Sequence, residues 1–280
     1  MIIAIYRMHY GVDFIENSIK SIIDDVDKIF IFFSKQPWVL QDKILYKDKI
    51  IDFPSNPENV EKYLNENLSK YKKIKFLNFE CNTPFNQFGI LYNQVIKLLN
   101  SVPKKVLFME PDMIFPEKGL NLLIKELNLK FWLNNISTKE IELWKKRDFR
   151  NTECFRVPYR KRSGGGAILW RTNKDIKTGF SPKDYKRKIH FSWFVEILNL
   201  GFCINDKTMM YKFLIALVYT KKIGDSVMNE NWYEDKWKKW NKDTIDLEQS
   251  KGAEHRISKI VSYKIPSKFL KFLNFNIHTK

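Results

Sequence analysis

Two acidic side chains, Glu110 and Asp112, follow an apolar segment at a spacing that suits a hard metal ion. Residues 106–109 read as a buried strand, and Pro111 separates the two acids. Because side chains at positions i and i+2 of an extended backbone point to the same side, the two carboxylates can act together. Carboxylates placed in this way can bind Mg²⁺ or Mn²⁺ that carries a diphosphate. The segment therefore predicts a metal site, and an acidic surface turn is the alternative.

A run of three glycines, Gly164, Gly165 and Gly166, follows the basic stretch 160–162. Glycine lets a loop approach a ligand closely, and the exposed backbone N–H groups of such a loop can bind an anion. The segment does not have the spacing of a Walker phosphate-binding loop. We expect these glycines to line a ligand cleft, with a tight turn before a strand at 167–171 as the alternative.

His190 and two carboxylates are the candidates for a general base. His190 stands at the predicted start of a helix, where its imidazole could take a proton near neutral pH. Asp184 and Glu196 are the alternative bases, in that order. A partly exposed histidine with no catalytic role fits the same position equally well.

Strands and helices alternate through the first half of the chain, and this order must position the candidate residues. Apolar runs of strand length are followed by segments whose apolar residues recur at helical spacing. Such alternation predicts an α/β fold with a Rossmann-like, mostly parallel sheet flanked by helices. The acidic pair would then lie at the carboxyl end of a strand, where such sheets bind ligands. The predicted strands are 2–8, 28–34, 50–53, 74–80 and 106–109, and the predicted helices are 12–25, 57–71, 86–100 and 117–127.

The second half is less regular, and we expect a mixed arrangement there. Residues 131–137 and 167–171 read as strands, and 186–202 reads as a helix that ends at Gly201. The predicted organisation is one domain over 1–205, with a nucleotide-binding half at about 1–116 and an acceptor half at about 117–205, and a C-terminal extension over 206–280 packed on it.

The C-terminal extension is aromatic and basic. Trp232, Trp237 and Trp240 stand among lysines and could stack on sugars or bases, but a helix docked on the core is the interpretation we favour. Residues 261–275 could make a peripheral contact with an anionic membrane surface, and a docked helix or strand explains them as well.

Composition limits the partners and the setting of this chain. The 280 residues carry a formal net charge of +17, which favours anionic partners such as phosphorylated substrates, nucleic acid or a membrane surface, although much of the lysine can be ordinary solvated surface. No apolar run approaches the roughly 20 residues of a membrane span, and the first residues read as a strand, so we expect a cytoplasmic protein, with any membrane contact at the inner face. The cysteines, predicted to be reduced and free of zinc, are Cys81, Cys154 and Cys203.

Together these features resemble the GT-A-fold glycosyltransferases that use nucleotide-sugar donors, of the family-2-like kind, over residues 2–205. The resemblance rests on the order of the segments more than on one motif. The matching segments are the first strand with Arg7, His9 and Tyr10 near its end, IFIFFS at 29–34, the helix with Asn86 and Asn93, MEPD at 109–112 in the place of the DxD motif, GGGAILWR at 164–171 and HFSWFVEILNLGF at 190–202.

The resemblance implies a metal-assisted hexosyl transfer, of the inverting kind, from a nucleotide-diphosphate sugar to a glycan or lipid-linked acceptor in polysaccharide biosynthesis. It implies that Asp112 ligates Mn²⁺ or Mg²⁺, that Glu110 supports the ion, and that His190 lies near the position of the catalytic carboxylate. The residues that it implies for the donor are Arg7, Tyr10, Asn86, Asn93, Gly164, Gly165 and Gly166.

This chain departs from the family pattern at several of these positions. The first acid of the motif is Glu110 rather than aspartate, and Ile189 and His190 replace the usual pair of acids, which leaves the base and the stereochemistry open. The histidine that often completes the metal site is not evident. Tyr211 and Lys212 follow instead, and a lysine could replace part of the charge of the metal.

Three other functions fit parts of the sequence. A nucleotidyltransferase on a similar fold would open with a glycine-rich loop, whereas the first strand here leads only to Gly11. A basic nucleic-acid-binding protein would use the charge and the tryptophan-lysine region, but it gives the acidic pair no role, so nucleic acid is not the partner we expect. An inactive scaffold of the same fold stays open because the pair of acids and the histidine are missing.

Overall fold

The computed structural model describes residues 1–34, 42–79, 87–146, 149, 151–157, 166–172, 190–223, 230–241 and 260–273. Within these ranges the chain forms a ten-stranded sheet, a separate two-stranded hairpin and six α-helices. The strands are β1 (Ile2–Met8), β2 (Lys28–Phe33), β3 (Lys43–Tyr46), β4 (Lys49–Asp52), β5 (Ile74–Asn78), β6 (Lys105–Met109), β7 (Met113–Ile114), β8 (Asn135–Trp144), β9 (Glu153–Arg156), β10 (Ile168–Arg171), β11 (Phe191–Phe202) and β12 (Val261–Lys264). The helices are α1 (Val12–Lys20), α2 (Val60–Asn67), α3 (Gln87–Leu99), α4 (Gly119–Leu129), α5 (Asp206–Ile223) and α6 (Ser267–Leu273).

The first half of the chain builds a parallel sheet, as the sequence predicts. Its strands lie in the order β5, β2, β1, β6, and each neighbouring pair is parallel. The chain moves outward from β1 through β2 to β5 and then returns to the other side of β1 to form β6. The strand order therefore reverses between β1 and β6, and open α/β sheets bind ligands beyond the carboxyl ends of the strands at such a point.

Helices cover both faces of the parallel strands because both faces are apolar. Ala4 and Tyr6 of β1 belong to the cluster that includes buried side chains of α1, α2 and α4. Ile3 and Ile5 point the other way and pack with buried side chains of α3. Strands buried on both faces have little freedom to slide or tilt, so the carboxyl ends of β1 and β6 are held in fixed positions.

The second half of the chain extends the sheet with mixed pairing. β10 lies antiparallel between β6 and β8, β8 pairs in parallel with β11 and antiparallel with β9, and β12 forms the edge next to β9. The predicted fold class, a mostly parallel sheet flanked by helices with a mixed C-terminal part, is confirmed. The carboxyl ends of β11 and β6 lie at the same edge because β8 is parallel to both.

The helix predicted over 186–202 is wrong. Residues Phe191–Phe202 form β11, and residues 173–189 lie outside the described ranges. Val195, Ile197 and Leu198 are all buried, since this strand is covered on both faces. A strand of that kind has an apolar run that also satisfies a helical stripe, so the spacing alone misleads. The strand-like piece predicted at 131–137 begins later, at Asn135, and continues to Trp144.

The C-terminal extension packs into the same body as the sheet. Trp232 and Trp237 are each 1% exposed and belong to a cluster with Trp144 of β8, which confirms the docked interpretation for these two rings and leaves neither of them open to stack on a base. Of residues 261–275, β12 pairs with β9, and α6 buries Phe269 and Leu273. The boundary at residue 205 stays a prediction.

No helix in the described part of the chain is long and apolar enough to cross a membrane. Cys154 and Cys203 are buried free thiols, as predicted, and Cys81 lies outside the described residues.

Candidate active site at the carboxyl edge of the sheet

Arg7 and Glu110 face each other where the strand order reverses. Tyr6 of β1 stands opposite Met109 of β6, so the next residue of each strand meets its counterpart just past the paired region. The Arg7 guanidinium donates to Glu110 Oε1, and its carbon lies 5.1 Å from the centre of the Phe88 ring. This ion pair fixes one side of the site on two rigid strands.

Asp112 lies two residues further on and is only 5% exposed. Its backbone carbonyl accepts a hydrogen bond of 2.9 Å from Leu200 N–H, which ties the acidic turn to β11. Its side-chain Oδ1 is buried and accepts no hydrogen bond from the described residues. The site therefore contains a carboxylate oxygen that can accept a hydrogen bond from a ligand hydroxyl.

Gly201 is the point at which three polar side chains converge. A Cβ added at this residue would lie 2.8 Å from Lys212 Nζ, 2.9 Å from Asp112 Oδ2 and 3.0 Å from Asn199 Oδ1. Lys212 Nζ also donates to Gly201 O at 3.0 Å, and Gly201 N–H donates to Asn199 Oδ1 at 2.8 Å. Only glycine leaves room for this arrangement. The sequence interpretation assigned Gly201 to a helix end and missed its role.

Lys212 enters the site from α5, and its charge is stabilised there. Loss of contact with water lowers the pKa of Lys212, but Tyr10, Asp112 and Glu110 raise it by more, so its pKa lies above the usual value and the ammonium stays protonated. Burial raises the pKa of Asp112 to about 6, although Lys212 acts in the opposite direction. The Tyr10 ring lies 5.5 Å from Lys212 Nζ, within cation–π range.

Glu140 is an acidic group of this site that the sequence interpretation did not single out. It lies on β8, and Asn199 of β11 donates to its Oε1 at 3.2 Å. Burial and the neighbouring Glu142 raise the pKa of Glu140 to about 8. Asn199 thus connects this carboxylate to the convergence point at Gly201. A carboxylate with a raised pKa is a stronger base than an ordinary one, and such groups are typical of catalytic sites.

A cavity of about 460 Å³ opens beside the carboxyl end of β2, two strands along from β6. Its volume falls within the roughly 300–1,000 Å³ of small-molecule sites. Glu58 anchors its wall by accepting from Gly11 N–H at 2.6 Å and from Thr208 Oγ1 of α5 at 3.0 Å. The residues that line the cavity are Phe33, Ser34, Asn56, Pro57, Glu58, Asn59, Val60 and Glu61.

His9 connects this cavity to α5. Its Nδ1 donates to the carbonyl of Ser34 at 2.9 Å, and its Nε2 lies 2.7 Å from the hydroxyl of Tyr211, the residue before Lys212. Burial lowers the pKa of His9 to about 4, so the ring is neutral at pH 7. Its Nε2 therefore accepts a hydrogen bond from the hydroxyl of Tyr211. His9 therefore helps to hold the part of α5 that carries the lysine.

The structure brings together four of the residues predicted for the site: Arg7, Tyr10, Glu110 and Asp112. Asn93 lies partly buried on α3, and the other predicted asparagine falls outside the described residues. Gly166 is buried, and a Cβ there would collide with the backbone oxygen of Thr138, so close packing on β8 explains that glycine. The predicted residues outside the described ranges are Asn86, Gly164, Gly165 and Asp184.

His190 and Glu196 do not lie with the acidic pair. His190 comes just before β11, where its carbonyl accepts from Ser137 N–H at 2.8 Å at the start of β8. β11 is irregular: it runs from Phe191 opposite Ser137 to Phe202 opposite Trp144, only seven positions along β8. At about 3.3 Å per residue its two ends are roughly 23 Å apart, and His190 and Gly201 lie at opposite ends. Glu196 stands between them, opposite Lys139 of β8.

The residues at this edge do not fit the divalent cation that the acidic motif predicts. Mg²⁺ and Mn²⁺ sites use carboxylates that are open to the ion, together with phosphate and water oxygens. Here Glu110 is paired with Arg7, and the ammonium of Lys212 lies across the Gly201 position from Asp112 Oδ2. Two protein cations already neutralise the acidic pair.

No protein-family model and no curated protein matches this chain. Among solved structures, it is similar to residues 1–349 of S. aureus TarS, with 14% identity and a TM-score of 0.40 over 78% of this chain and 65% of that one. It is similar to glucosyl-3-phosphoglycerate synthase from Mycobacterium tuberculosis in complex with Mn²⁺, UDP-glucose and phosphoglyceric acid, with 12% identity and a TM-score of 0.32 over 50% of this chain and 44% of that one.

The chain is also similar to 4-diphosphocytidyl-2C-methyl-D-erythritol synthase from Anaerococcus prevotii, with 10% identity and a TM-score of 0.38 over 75% of this chain and 94% of that one. It spans less than two thirds of the length of the first two structures. At these identities and TM-scores, the likeness carries no information on the reaction or substrate of this chain.

Proposed function

We propose that this protein is a glycosyltransferase that moves a sugar from a nucleoside-diphosphate sugar to a glycan or lipid-linked acceptor. The observation that carries the proposal is the position of Arg7, Asp112 and Lys212 at the point of strand reversal, at the same edge of the sheet as a cavity of about 460 Å³ beyond β2. A cavity of this size suits a nucleoside, and cations nearby suit a diphosphate. The order of segments over residues 2–205, which resembles that of the nucleotide-sugar glycosyltransferases, supports the same function.

The donor would bind with its nucleoside in the cavity and its diphosphate toward the two cations. His9 joins Ser34 at the cavity wall to Tyr211, and Tyr211 precedes Lys212 in α5, so the cavity and the lysine belong to one connected unit. Asp112 Oδ1 would accept a hydrogen bond from a hydroxyl group of the donor sugar. The acceptor would approach from the side of β8 and β11.

The transfer requires a base for the acceptor hydroxyl. In the proposed step, the acceptor oxygen forms a bond to the anomeric carbon, the bond from that carbon to the diphosphate oxygen breaks, and its electron pair stays on the leaving oxygen. Glu140, as a carboxylate, takes the acceptor proton, because Asn199 connects it to the convergence point at Gly201. The bases predicted from the sequence, His190, Asp184 and Glu196, stay predictions, as does inversion at the anomeric carbon.

Metal assistance at Glu110 and Asp112 also stays a prediction, and so do the hexosyl group, a role in polysaccharide biosynthesis and the cytoplasmic location. A membrane contact through 261–275 has less support, since Phe269 and Leu273 in that stretch are buried in the protein. The proposal does not depend on any of these points.

Release of nucleoside diphosphate from a panel of nucleotide sugars tests this function. UDP-, GDP- and CDP-linked sugars are incubated with the protein, with and without added Mn²⁺, and the products are separated by chromatography. We expect release from donors of one nucleotide, and we expect Asp112→Asn to lose most of it because the substitution leaves Lys212 without its countercharge. Glu117→Gln is the control, since Glu117 is half exposed and pairs only with the surface residue Lys271 among the described contacts.

Each other outcome identifies a different function. Incorporation of a nucleoside monophosphate with release of pyrophosphate from a nucleoside triphosphate would replace the proposal with a nucleotidyltransferase. If the folded protein neither binds nor cleaves any of these nucleotides, the inactive scaffold is the interpretation that the result supports. If that same protein bound DNA or RNA in a salt-dependent way, its function would be nucleic-acid binding. The bases of the nucleic acid could not stack on Trp232 and Trp237, because both rings are buried.

A further inference from the structure

The ammonium group of Lys212 lies beside Asp112, where the acidic motif predicts a metal ion. Its Nζ and Asp112 Oδ2 lie on either side of the position that a Gly201 Cβ would take, at 2.8 and 2.9 Å from it. The ammonium has three donors, and one of them goes to Gly201 O at 3.0 Å. The aromatic rings of Tyr10 and Phe202 lie 5.5 and 5.4 Å from Nζ. Carboxylate, carbonyl and ring faces together position a fixed positive charge beside Asp112.

Arg7 supplies a second cation on the other acidic residue of the motif. It pairs with Glu110 and stacks against Phe88, and its strand β1 lies between β2 and β6 in the sheet. A guanidinium keeps its charge at all physiological pH values and can donate to two oxygens at once. The two cations therefore flank the same edge of the sheet, one on β1 and one on α5.

The charges of these four groups cancel without a metal ion. Glu110 and Asp112 carry two negative charges at neutral pH when both are ionised, and Arg7 and Lys212 carry two positive charges. A divalent cation that entered between the carboxylates would have to displace both protein cations or lie against them, and like charges at short range in a partly buried site repel strongly. An incoming diphosphate, by contrast, meets cations that are already in place.

We propose that Lys212, together with Arg7, takes the role of the divalent cation, so that this protein binds and activates its donor diphosphate without a metal. This inference rests on the proposed glycosyltransferase function. When the bond between the anomeric carbon and the diphosphate oxygen breaks, the electron pair stays on that oxygen, and Lys212 donates a hydrogen bond to it while keeping its own proton. Arg7 donates to the second phosphate. The acceptor oxygen closes the new bond, and its proton passes to Glu140.

Calorimetric titration of UDP, GDP and CDP into the full chain, in EDTA and in Mn²⁺, tests this inference without any need for turnover. We expect one nucleotide to bind in EDTA as tightly as in Mn²⁺. We expect Lys212→Met, which keeps the length of the side chain and removes its charge, to weaken that binding by about 10- to 100-fold, the effect of losing one hydrogen bond from a charged group. Lys207→Met is the matched control on the exposed side of the same helix and should bind like the wild type.

A loss of binding in Lys212→Met counts only if the variant is folded. That substitution leaves the buried Asp112 without its countercharge, so the double variant Lys212→Met, Asp112→Asn removes both charges together and keeps the site neutral. Both variants are checked by thermal unfolding, and the folded one is used. If a folded variant without Lys212 binds the nucleotide as tightly as the wild type, the inference is wrong.

The outcomes also separate this inference from the function on which it rests. Nucleotide binding that appears only with Mn²⁺, and that EDTA abolishes, would overturn the role of Lys212 and leave the glycosyltransferase function intact. If the folded wild-type protein binds none of the three nucleotides in either condition, the proposed glycosyltransferase function is wrong. Binding in EDTA that depends on Lys212 supports both.

Discussion

Gly201→Ala places one methyl group where three polar side chains meet, so its effect can be worked out from the structure. The added Cβ would lie 2.8 Å from Lys212 Nζ, 2.9 Å from Asp112 Oδ2 and 3.0 Å from Asn199 Oδ1, all well inside ordinary carbon contacts. Asp112 is nearly fully buried and sits on a turn that is bonded to β11, so it has little freedom to move. Lys212 is the end of a flexible chain, and we expect its ammonium to be displaced first.

The expected cost has two parts. Overpacking of this kind destabilises a protein by about 1–3 kcal/mol, which for a chain of this size lowers the melting temperature by roughly 2–5 °C. Displacement of Lys212 removes one charged hydrogen bond to the diphosphate, which corresponds to about 10- to 100-fold weaker nucleotide binding. The two losses are therefore of similar size, each about 1–3 kcal/mol. The variant should still fold, because the total stability of a domain is about 5–15 kcal/mol.

Calorimetry with the nucleotide that the wild type prefers, together with thermal unfolding, measures both effects. Gly166→Ala is the comparison, since its Cβ would collide with the backbone of Thr138 rather than with a side chain of the site. That variant should lose stability with little change in nucleotide affinity. Unchanged binding and an unchanged melting temperature in Gly201→Ala would refute the geometry on which the whole site depends.

Three further predictions follow from single residues. If Glu140 is the base, Glu140→Gln should lower kcat by about 100-fold or more. The rate of the wild type should rise with pH until Glu140 is ionised, above about pH 8, and the rate of the variant should not show this rise. Burial lowers the pKa of His9 from 6.5 to about 4, so between these pH values the unfolded chain binds a proton that the folded protein does not. The free energy of unfolding should therefore fall by up to about 3 kcal/mol from pH 6.5 to pH 4. In His9→Gln the fall should be smaller. Trp237→Ala should cost about 3–5 kcal/mol in urea unfolding, whereas Trp193→Ala, at a ring that is 73% exposed, should cost less than about 1 kcal/mol.

The first half of the fold could be predicted because each of its segments has one clear pattern. Residues 29–33 are all apolar and too few for a helix, and they form most of β2. Ile15 and Ile19 repeat at helical spacing and are buried in α1. The acidic pair then had to stand at the carboxyl end of β6, because a parallel sheet places all such ends at one edge.

β11 could not be predicted from spacing because residues 195–202 are buried or half-buried on both faces, although Trp193 and Phe194 before them are exposed. Its apolar residues satisfied a helical stripe, and its length of 12 residues exceeds that of a usual strand. The error had a consequence for the site, since the strand places His190 beside Ser137 of β8, at the opposite end of β11 from Gly201. Gly201 was misread for the same reason.

Glu140 and the position of Lys212 depend on contacts that sequence patterns do not record. Glu140 alternates with apolar neighbours on β8 and so looks like part of a solvent-facing surface, but Asn199 of β11 covers it. Lys212 was noticed only as a possible substitute for a missing histidine. Its ammonium and Asp112 both lie close to Gly201, although the two residues are 100 positions apart in the sequence.

The most direct test of the account is a crystal structure of this protein with the nucleoside diphosphate that binds it best. The account predicts the nucleoside in the cavity beside Ser34 and Glu58, with the diphosphate oxygens within hydrogen-bond distance of Lys212 Nζ and the Arg7 guanidinium. A nucleotide bound elsewhere, or a diphosphate held by a metal ion on Asp112 with Lys212 turned away, would contradict it.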